Sequence, residues 1–317
     1  MPRPYVLWSH FPQLPQREPP MRDVLDRLME TYFRRLRQYA LQADEDDTGR
    51  IVTGETPFRP ASEDVQAEVD AQAEGLFLET LRQFQREVPG LQRVAVHSES
   101  HPNGNPAAYV GDAPQYRVYL DPIDGTDEFL RGLDTSLYSA MSWFTGDGQP
   151  VAAGTYDVWA DKVYLARPGG ATLVFGSGAR KALRPAQAKR LPEQGVVLGY
   201  LGRWKYLAPW VRGMSPLLAA DGAKGLTLHG KGGSFVYGFI GSGKALCYVM
   251  WDEPVSEILP GLAFAQLVGF PVLVRKRNGS VTPFSLREHG GLDHVPALVT
   301  ACTEELARAI IRGVQWG

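Results

Sequence analysis

An α+β half followed by an α/β half is the fold class that this 317-residue sequence predicts. Three observations carry the prediction. Two long segments with apolar residues at helical spacing come first. Four β-prone runs separated by turn residues follow, as in an antiparallel meander. From about residue 196 onward, strand-like and helix-like segments alternate, as they do around a layered sheet.

Taken in order, residues 1–20 hold six prolines among Tyr5, Trp8 and Phe11. That composition suits an extended arm packed on the body or on a neighbouring subunit, with a floppy tail as the alternative. Residues 21–42 repeat Val24, Leu25, Leu28, Tyr32, Leu36 and Tyr39 on one helical face. A polar, acidic loop (44–54) leads to a second helix over 62–86, which carries Val65, Val69, Ala73, Leu76 and Phe84 and is stopped by Pro89-Gly90. A short strand at 93–96 delivers Ser98-Glu99-Ser100, and 101–115, full of Gly, Pro, Asn and Asp, reads as an exposed loop. The meander comprises 137–145, 151–158, 162–166 and 172–175. Residues 179–190 read as a linker or a surface helix. Beyond them the pattern gives strands at 196–200, 226–229, 245–250, 271–275 and 297–301. Helices are expected at 204–219, 234–240, 255–268 and 303–314. The expected organisation is an arm (1–20), an α+β domain (21–186) and an α/β domain (187–317).

Composition narrows the function. Hydrophobic residues make up 44% and charged residues 21%, as in an ordinary globular protein. A net charge of −2 argues against a dedicated nucleic-acid binder. No segment has the apolar length of a membrane span, and the proline-rich start lacks a signal core. Cys247 and Cys302 lack zinc or CxxC spacing and read as buried thiols of a reducing compartment, so a cytoplasmic location is expected.

The chemistry concentrates in Asp121-Pro122-Ile123-Asp124-Gly125-Thr126-Asp127-Glu128-Phe129. The run Arg117-Val118-Tyr119-Leu120 places Asp121 at a strand end, and Pro122 stiffens the exit. Gly125 permits a sharp turn, and Thr126 opens a helix. Asp121, the Ile123 carbonyl and Asp124 can then converge as hard oxygen ligands for Mg²⁺, Mn²⁺ or Ca²⁺. The bland alternative is an Asp-rich turn that caps a helix. Glu99 leaves its strand as Asp121 does, so both can face one cleft; an ordinary loop carboxylate is the alternative. Asp64 and Asp70 lie early in the second helix, where acids are also favourable through the dipole alone.

Other motifs are weaker. Gly238-Phe239-Ile240-Gly241-Ser242-Gly243-Lys244-Ala245 nearly spells a P-loop, but Ala245 replaces the Ser or Thr, and helix precedes strand rather than the reverse. His97 and His101 stand four apart across a strand end and a loop, where structural roles outweigh ligation. The basic run Arg180, Lys181, Arg184, Lys189 and Arg190 reads as a solvated face.

Together these residues resemble the inositol monophosphatase / fructose-1,6-bisphosphatase superfamily of Mg²⁺-dependent, lithium-sensitive phosphatases. Asp121 to Thr126 match the family's D-P-(I/L)-D-G-T signature completely. Glu99 fits the glutamate upstream of it, although Ser100 stands where a second glutamate is usual. Asp64 and Asp70 fit the D-x-x-T-x-x-D helix, with Ala67 in place of threonine. Gly233-Ser234-Phe235 resembles the G-(S/T)-A segment that lies against the substrate. In the second signature, Trp251-Asp252 is conspicuous, but counting back from Gly269 and forward from Gly243 both place the acid at Glu257. Glu257 is therefore favoured over Asp252, and a glutamate there resembles the fructose-bisphosphatase branch. Pro254 would start that helix, with Asp252 near its cap. Leu246 and Met250 stand where inositol-specific members carry acids. Phe129-Leu130-Arg131-Gly132 is reminiscent of the bisphosphate-nucleotidase branch.

The resemblance implies a layered αβαβα sandwich, an antiparallel-sheet half followed by a mixed-sheet half. It implies two or three Mg²⁺ ions, with Mn²⁺ able to substitute and Li⁺ or Ca²⁺ inhibitory. The implied ligands are Glu99, Asp121, the Ile123 carbonyl, Asp124 and Glu257, with Asp70 assisting a third ion through water. Glu99 and Thr126 would orient the attacking water, and Asp124, Gly125, Thr126, Gly233, Ser234 and Glu257 would hold the substrate. The implied substrate is a small phosphorylated metabolite of inositol- or sugar-phosphate type. The alternatives are a 3'(2'),5'-bisphosphate nucleotidase, a fructose-1,6-bisphosphatase, or a non-catalytic relative that binds metal or phosphate. Relatives commonly form dimers or tetramers, so a homodimer fits by analogy; the sequence leaves the oligomeric state open.

Overall fold

A computed structural model describes residues 20–45, 68–98, 101, 103–109, 111–130, 136–191, 194–201, 204–219 and 225–315. The N-terminal arm up to residue 19, Asp64, Ala67, Glu99 and Ser100 lie outside the described residues.

The first layer is a helix pair, α1 (Met21–Glu45) and α2 (Glu68–Glu87). Val24, Leu25, Leu28, Tyr32, Phe33 and Leu36 of α1 and Val69, Ala73 and Phe77 of α2 are buried. These stripes cover one face of a seven-stranded sheet. It is built from β1 (Val94–Ser98), β2 (Tyr116–Asp124), then, after α3 (Thr126–Leu130), β3 (Tyr138–Thr145), β4 (Pro150–Asp157), β5 (Lys162–Arg167), β6 (Gly170–Phe175) and β7 (Arg180–Ala182), in sequence order. β1 and β2 pair in parallel; the rest form the antiparallel meander.

Two expectations are corrected here. Strand β2 does not stop before Asp121 but runs on through Pro122 to Asp124, because Asp121 and Asp124 still pair with β3. Residues 180–182, expected in a linker or surface helix, form the edge strand β7. The segment pairs antiparallel with β6, Val174 opposite Arg180 and Thr172 opposite Ala182, and Arg180 also pairs with Glu30 of α1 at 2.5 Å. All three β7 residues remain exposed, as expected of a short basic edge strand.

The second half supplies β8 (Gln194–Leu198), α4 (Trp204–Leu218), β9 (Gly225–His229), α5 (Val236–Gly241), β10 (Cys247–Pro254), α6 (Val255–Val268), β11 (Val272–Arg275), β12 (Val281–Pro283), α7 (Leu286–His289), β13 (His294–Ala301) and α8 (Glu304–Gly313). The short β12 and α7 are not among the elements that the sequence pattern predicts. The six strands assemble in the order β12-β11-β13-β10-β8-β9, with parallel and antiparallel pairs. Helices α4 and α8 cover one face of this mixed sheet, while α6 packs between it and the meander sheet. A helix in the middle layer must be apolar all round. Accordingly Val255, residues 258–265 and Leu267 are all buried. The layering is αβαβα, and one apolar cluster spans both halves, from Tyr138 and Phe144 to Leu298 and Ile310.

The segment resembling a P-loop keeps the order helix then strand. Lys244 Nζ donates to the Tyr164 hydroxyl at 2.7 Å and lies over the Tyr164 and Phe239 rings. The two candidate histidines also diverge: His97 stacks on Tyr119, and His101 Nδ1 lies 3.1 Å from Glu74 Oε1.

Candidate active site

The site begins with a bulge. Asp121 pairs with Ala140 and Asp124 with Tyr138, so three steps on β2 oppose two on β3. Residues three apart on a regular strand face opposite ways. Ala140 and Tyr138 are two apart and share a face, and directly opposed residues share it with them. The extra residue therefore turns Asp121 and Asp124 to one side, the side where α6 packs, while Ile123 is buried with the α1–α2 core.

Gly125 follows with φ 101°, and a Cβ there would lie 2.7 Å from the Ser136 carbonyl oxygen. Both facts require glycine. The chain then enters α3 at Thr126, whose hydroxyl lies 3.0 Å from Asp70 Oδ1 and 3.2 Å from the Ile123 carbonyl oxygen. Asp70 is buried on α2. Behind it the Tyr32 hydroxyl is pushed up by burial and by the carboxylates of Asp121, Glu74 and Asp70 around it. The structure thus gathers Asp70, Asp121 and Thr126, residues from two separate segments, around the end of β2.

The opposite wall comes from the second half. Gly233 has φ 112°, and a Cβ on it would stand 1.9 Å from Asp124 Oδ2. Its backbone is therefore pressed against that carboxylate. The Ser234 hydroxyl donates to the backbone carbonyl of Glu257, in the first turn of α6. Phe235, where the family pattern has alanine, stacks on Tyr138 with centroids 3.7 Å apart. Tyr138 is in turn the cross-strand partner of Asp124. Lys231 pairs with Glu128 of α3 at 2.6 Å, a second tie between the two walls.

Glu257 is half-buried at the start of α6, beside Ser234. Asp252 is exposed, with a left-handed backbone (φ 52°). It lies within β10 rather than at a helix cap, and Pro254 is the N-cap of α6 rather than its first residue. The strand persists because Trp251, Glu253 and Pro254 still pair with β13. Leu246 and Met250 are buried.

The donor set of Asp121, the Ile123 carbonyl, Asp124 and Glu257 is oxygen only, which fits a hard divalent cation. Among the described residues no three acidic, His or Cys side chains make a metal cluster by themselves.

Sequence reasoning missed several neighbours. Glu74, one turn after Asp70 on α2, is buried and accepts hydrogen bonds from the Ser98 hydroxyl (2.9 Å) and the Asn105 amide (2.5 Å). Its two bonds thus hold Ser98 and Asn105, which lie on either side of Glu99 in the sequence. Its spacing of four from Asp70 was the available signal. Glu253 is buried, and burial first, then Glu257 and Asp124, pushes its carboxyl well above the usual range. Nothing local in Trp251-Asp252-Glu253 distinguished it.

A model of the inositol monophosphatase family matches residues 26–202. No curated protein matches the chain in sequence. Among solved structures, the extragenic suppressor protein SuhB from Bartonella henselae superposes with a TM-score of 0.65 at 15% identity, covering 91% of this chain and 97% of its own. The Thermotoga maritima IMPase gives 0.66 at 15%, covering 92% and 96%. An IMPase/NADP phosphatase complexed with NADP and Ca²⁺ gives 0.62 at 15%, covering 93% and 97%. At these identities the structural likeness establishes the fold.

Proposed function

Since the chain belongs to the inositol monophosphatase family and is a phosphomonoesterase of that type, we propose that it is a Mg²⁺-dependent hydrolase of a small phosphorylated metabolite, of inositol- or sugar-phosphate type. The observation that carries this reading is the bulged β2 turn, which aims Asp121 and Asp124 at one side beside the Asp70–Thr126 pair.

The proposed ligands are Glu99, Asp121, the Ile123 carbonyl, Asp124 and Glu257. Bound Mg²⁺ would supply charge neutralisation and Lewis-acid activation of water and leaving group. Thr126 is held by Asp70 so that its hydroxyl can orient the nucleophilic water together with Glu99. The backbone around Gly125-Thr126 presents N–H groups to phosphate oxygens, and Gly233-Ser234 closes over the ester from the other wall. Residues 21–186 thus carry most of the metal site, and 187–317 complete it. The two buried thiols fit the cytoplasmic location proposed with this reading. Among the described residues no helix is long and apolar enough to cross a membrane. A homodimer is the proposed assembly.

A second reading, a 3'(2'),5'-bisphosphate nucleotidase, NADP phosphatase or fructose-1,6-bisphosphatase, is favoured by one feature. Buried Leu246, just before β10, and Met250, on it, put apolar side chains at the two positions where inositol-specific members carry acids, the second of which touches substrate hydroxyls. The test is phosphate release from inositol phosphates, fructose bisphosphate, adenosine 3',5'-bisphosphate and NADP, with and without Mg²⁺ and Li⁺. Turnover of at least one ester that needs Mg²⁺ and is abolished by Asp121→Asn is expected. No release from any ester would leave a non-catalytic metal- or phosphate-binding protein.

A further inference from the structure

Behind the Gly233-Ser234 segment lies a buried carboxyl with no role in the chemistry above. Glu253 is 1% exposed. Its Oε1 accepts the Tyr248 hydroxyl at 2.7 Å, and its Oε2 has no hydrogen-bond partner among the described residues. Tyr248, also 1% exposed, connects to the site on its other side. Its hydroxyl accepts the Gly233 N–H at 3.4 Å. A Cβ on Gly232 would lie 2.7 Å from the same oxygen. Both residues belong to β10, five positions apart, where regular alternation would send them to opposite sides. The left-handed backbone of Asp252 interrupts that alternation immediately before Glu253.

A hydroxyl has one proton to donate and lone pairs with which to accept. Giving its proton to Glu253 fixes the Tyr248 rotor and leaves a lone pair for the Gly233 amide. Gly233 in turn abuts the Asp124 carboxylate. The contacts therefore run without a gap from Glu253 through Tyr248 and Gly233 to Asp124. A buried polar group is expensive to keep unless something depends on it. We propose that Glu253 and Tyr248 are positioning residues that set the Gly232-Gly233-Ser234 backbone, and through it the Asp124 carboxylate, for binding a phosphate ester. This rests on the reading that Gly233 and Ser234 lie against the substrate phosphate.

The test uses the full chain in two arms. Hydrogen–deuterium exchange on the metal-free protein reads the amides of residues 232–234. Phosphate-release kinetics on the best ester from the screen read KM and kcat separately. Tyr248→Phe and Glu253→Leu should each speed exchange in that segment and raise KM by about tenfold, the size of one lost hydrogen bond, with kcat changed far less. Glu253→Gln, which keeps an oxygen acceptor for the Tyr248 proton, should restore both. Tyr248→Phe removes a single oxygen and decides the matter if Glu253→Leu does not fold. Unchanged exchange and KM in Tyr248→Phe would overturn the proposal, as would Glu253→Gln behaving like Glu253→Leu. If exchange responds as expected but no ester is turned over, the phosphatase reading fails and the positioning pair stands.

Discussion

Gly233→Ala is the sharpest single test of the site geometry. An alanine Cβ would stand 1.9 Å from Asp124 Oδ2, against 3.4 Å for ordinary contact, so one of the two must retreat by about 1.5 Å. Gly233 cannot yield easily, because Phe235 is stacked on Tyr138 and the Ser234 hydroxyl is bonded to the Glu257 carbonyl. The carboxylate is therefore the group displaced. The φ of 112° adds backbone strain of about 1–3 kcal/mol for any residue with a Cβ. A misplacement of about 1 Å at a reacting centre costs on the order of 100-fold. The expected result is a fall in kcat/KM of at least about 100-fold. At roughly 2–4 °C per kcal/mol, the strain should also lower Tm by about 2–12 °C. Steady-state phosphate release and thermal unfolding measure the two effects. Near-wild-type turnover in a folded Gly233→Ala protein would falsify the placement of Asp124 against this segment.

Three further outcomes follow from named contacts. Thr126→Val removes the hydroxyl held by Asp70 and the Ile123 carbonyl, and should lower kcat by about 10²–10⁴-fold, the range for general acid–base groups; a loss under tenfold would remove Thr126 from the reaction. Glu257→Gln should cost far more activity than Asp252→Asn, because Glu257 opens α6 beside Ser234 whereas Asp252 is exposed; the reverse order would transfer the ligand role to Asp252. Burial first and Lys231 second hold the His229 imidazole below its ordinary value of 6.5. The unfolded chain therefore takes up a proton near pH 6.5 that the folded chain resists, so stability falls as pH drops below about 6.5. His229→Gln should flatten Tm between pH 7 and 5, and an unchanged slope would assign the acid sensitivity elsewhere.

Local signals were legible wherever one segment sufficed. The stripe of α1 and the meander follow from periodicity and turn residues, because burial of one face imposes the pattern directly. Helix α6 is apolar all round, and its bounds follow from Pro254 before it and Gly269 after it. The motif at Asp121 to Thr126 was equally plain, since Pro, Gly and closely spaced acids leave few conformations. Its geometry was not. The text of the motif suggested a strand end, whereas pairing with β3 prolongs the strand and the bulge turns both acids to one face. Edge strand β7 carries no such signal, because its basic residues stay exposed and only their backbone pairing with β6 makes them a strand.

By itself, then, the sequence determined the order of the longer elements, the family resemblance and the carboxylate-rich turn, all properties of contiguous residues. Only the tertiary structure decided which distant residues complete that turn. Thr126 meets Asp70 across 56 positions, and Gly233 meets Asp124 across more than a hundred. Such meetings depend on how layers pack, and packing is a property of volumes and faces from the whole chain. The same reason hid Glu253: in sequence it is one more acid beside Asp252, and only its burial against the Tyr248 hydroxyl makes it part of the wall behind the site.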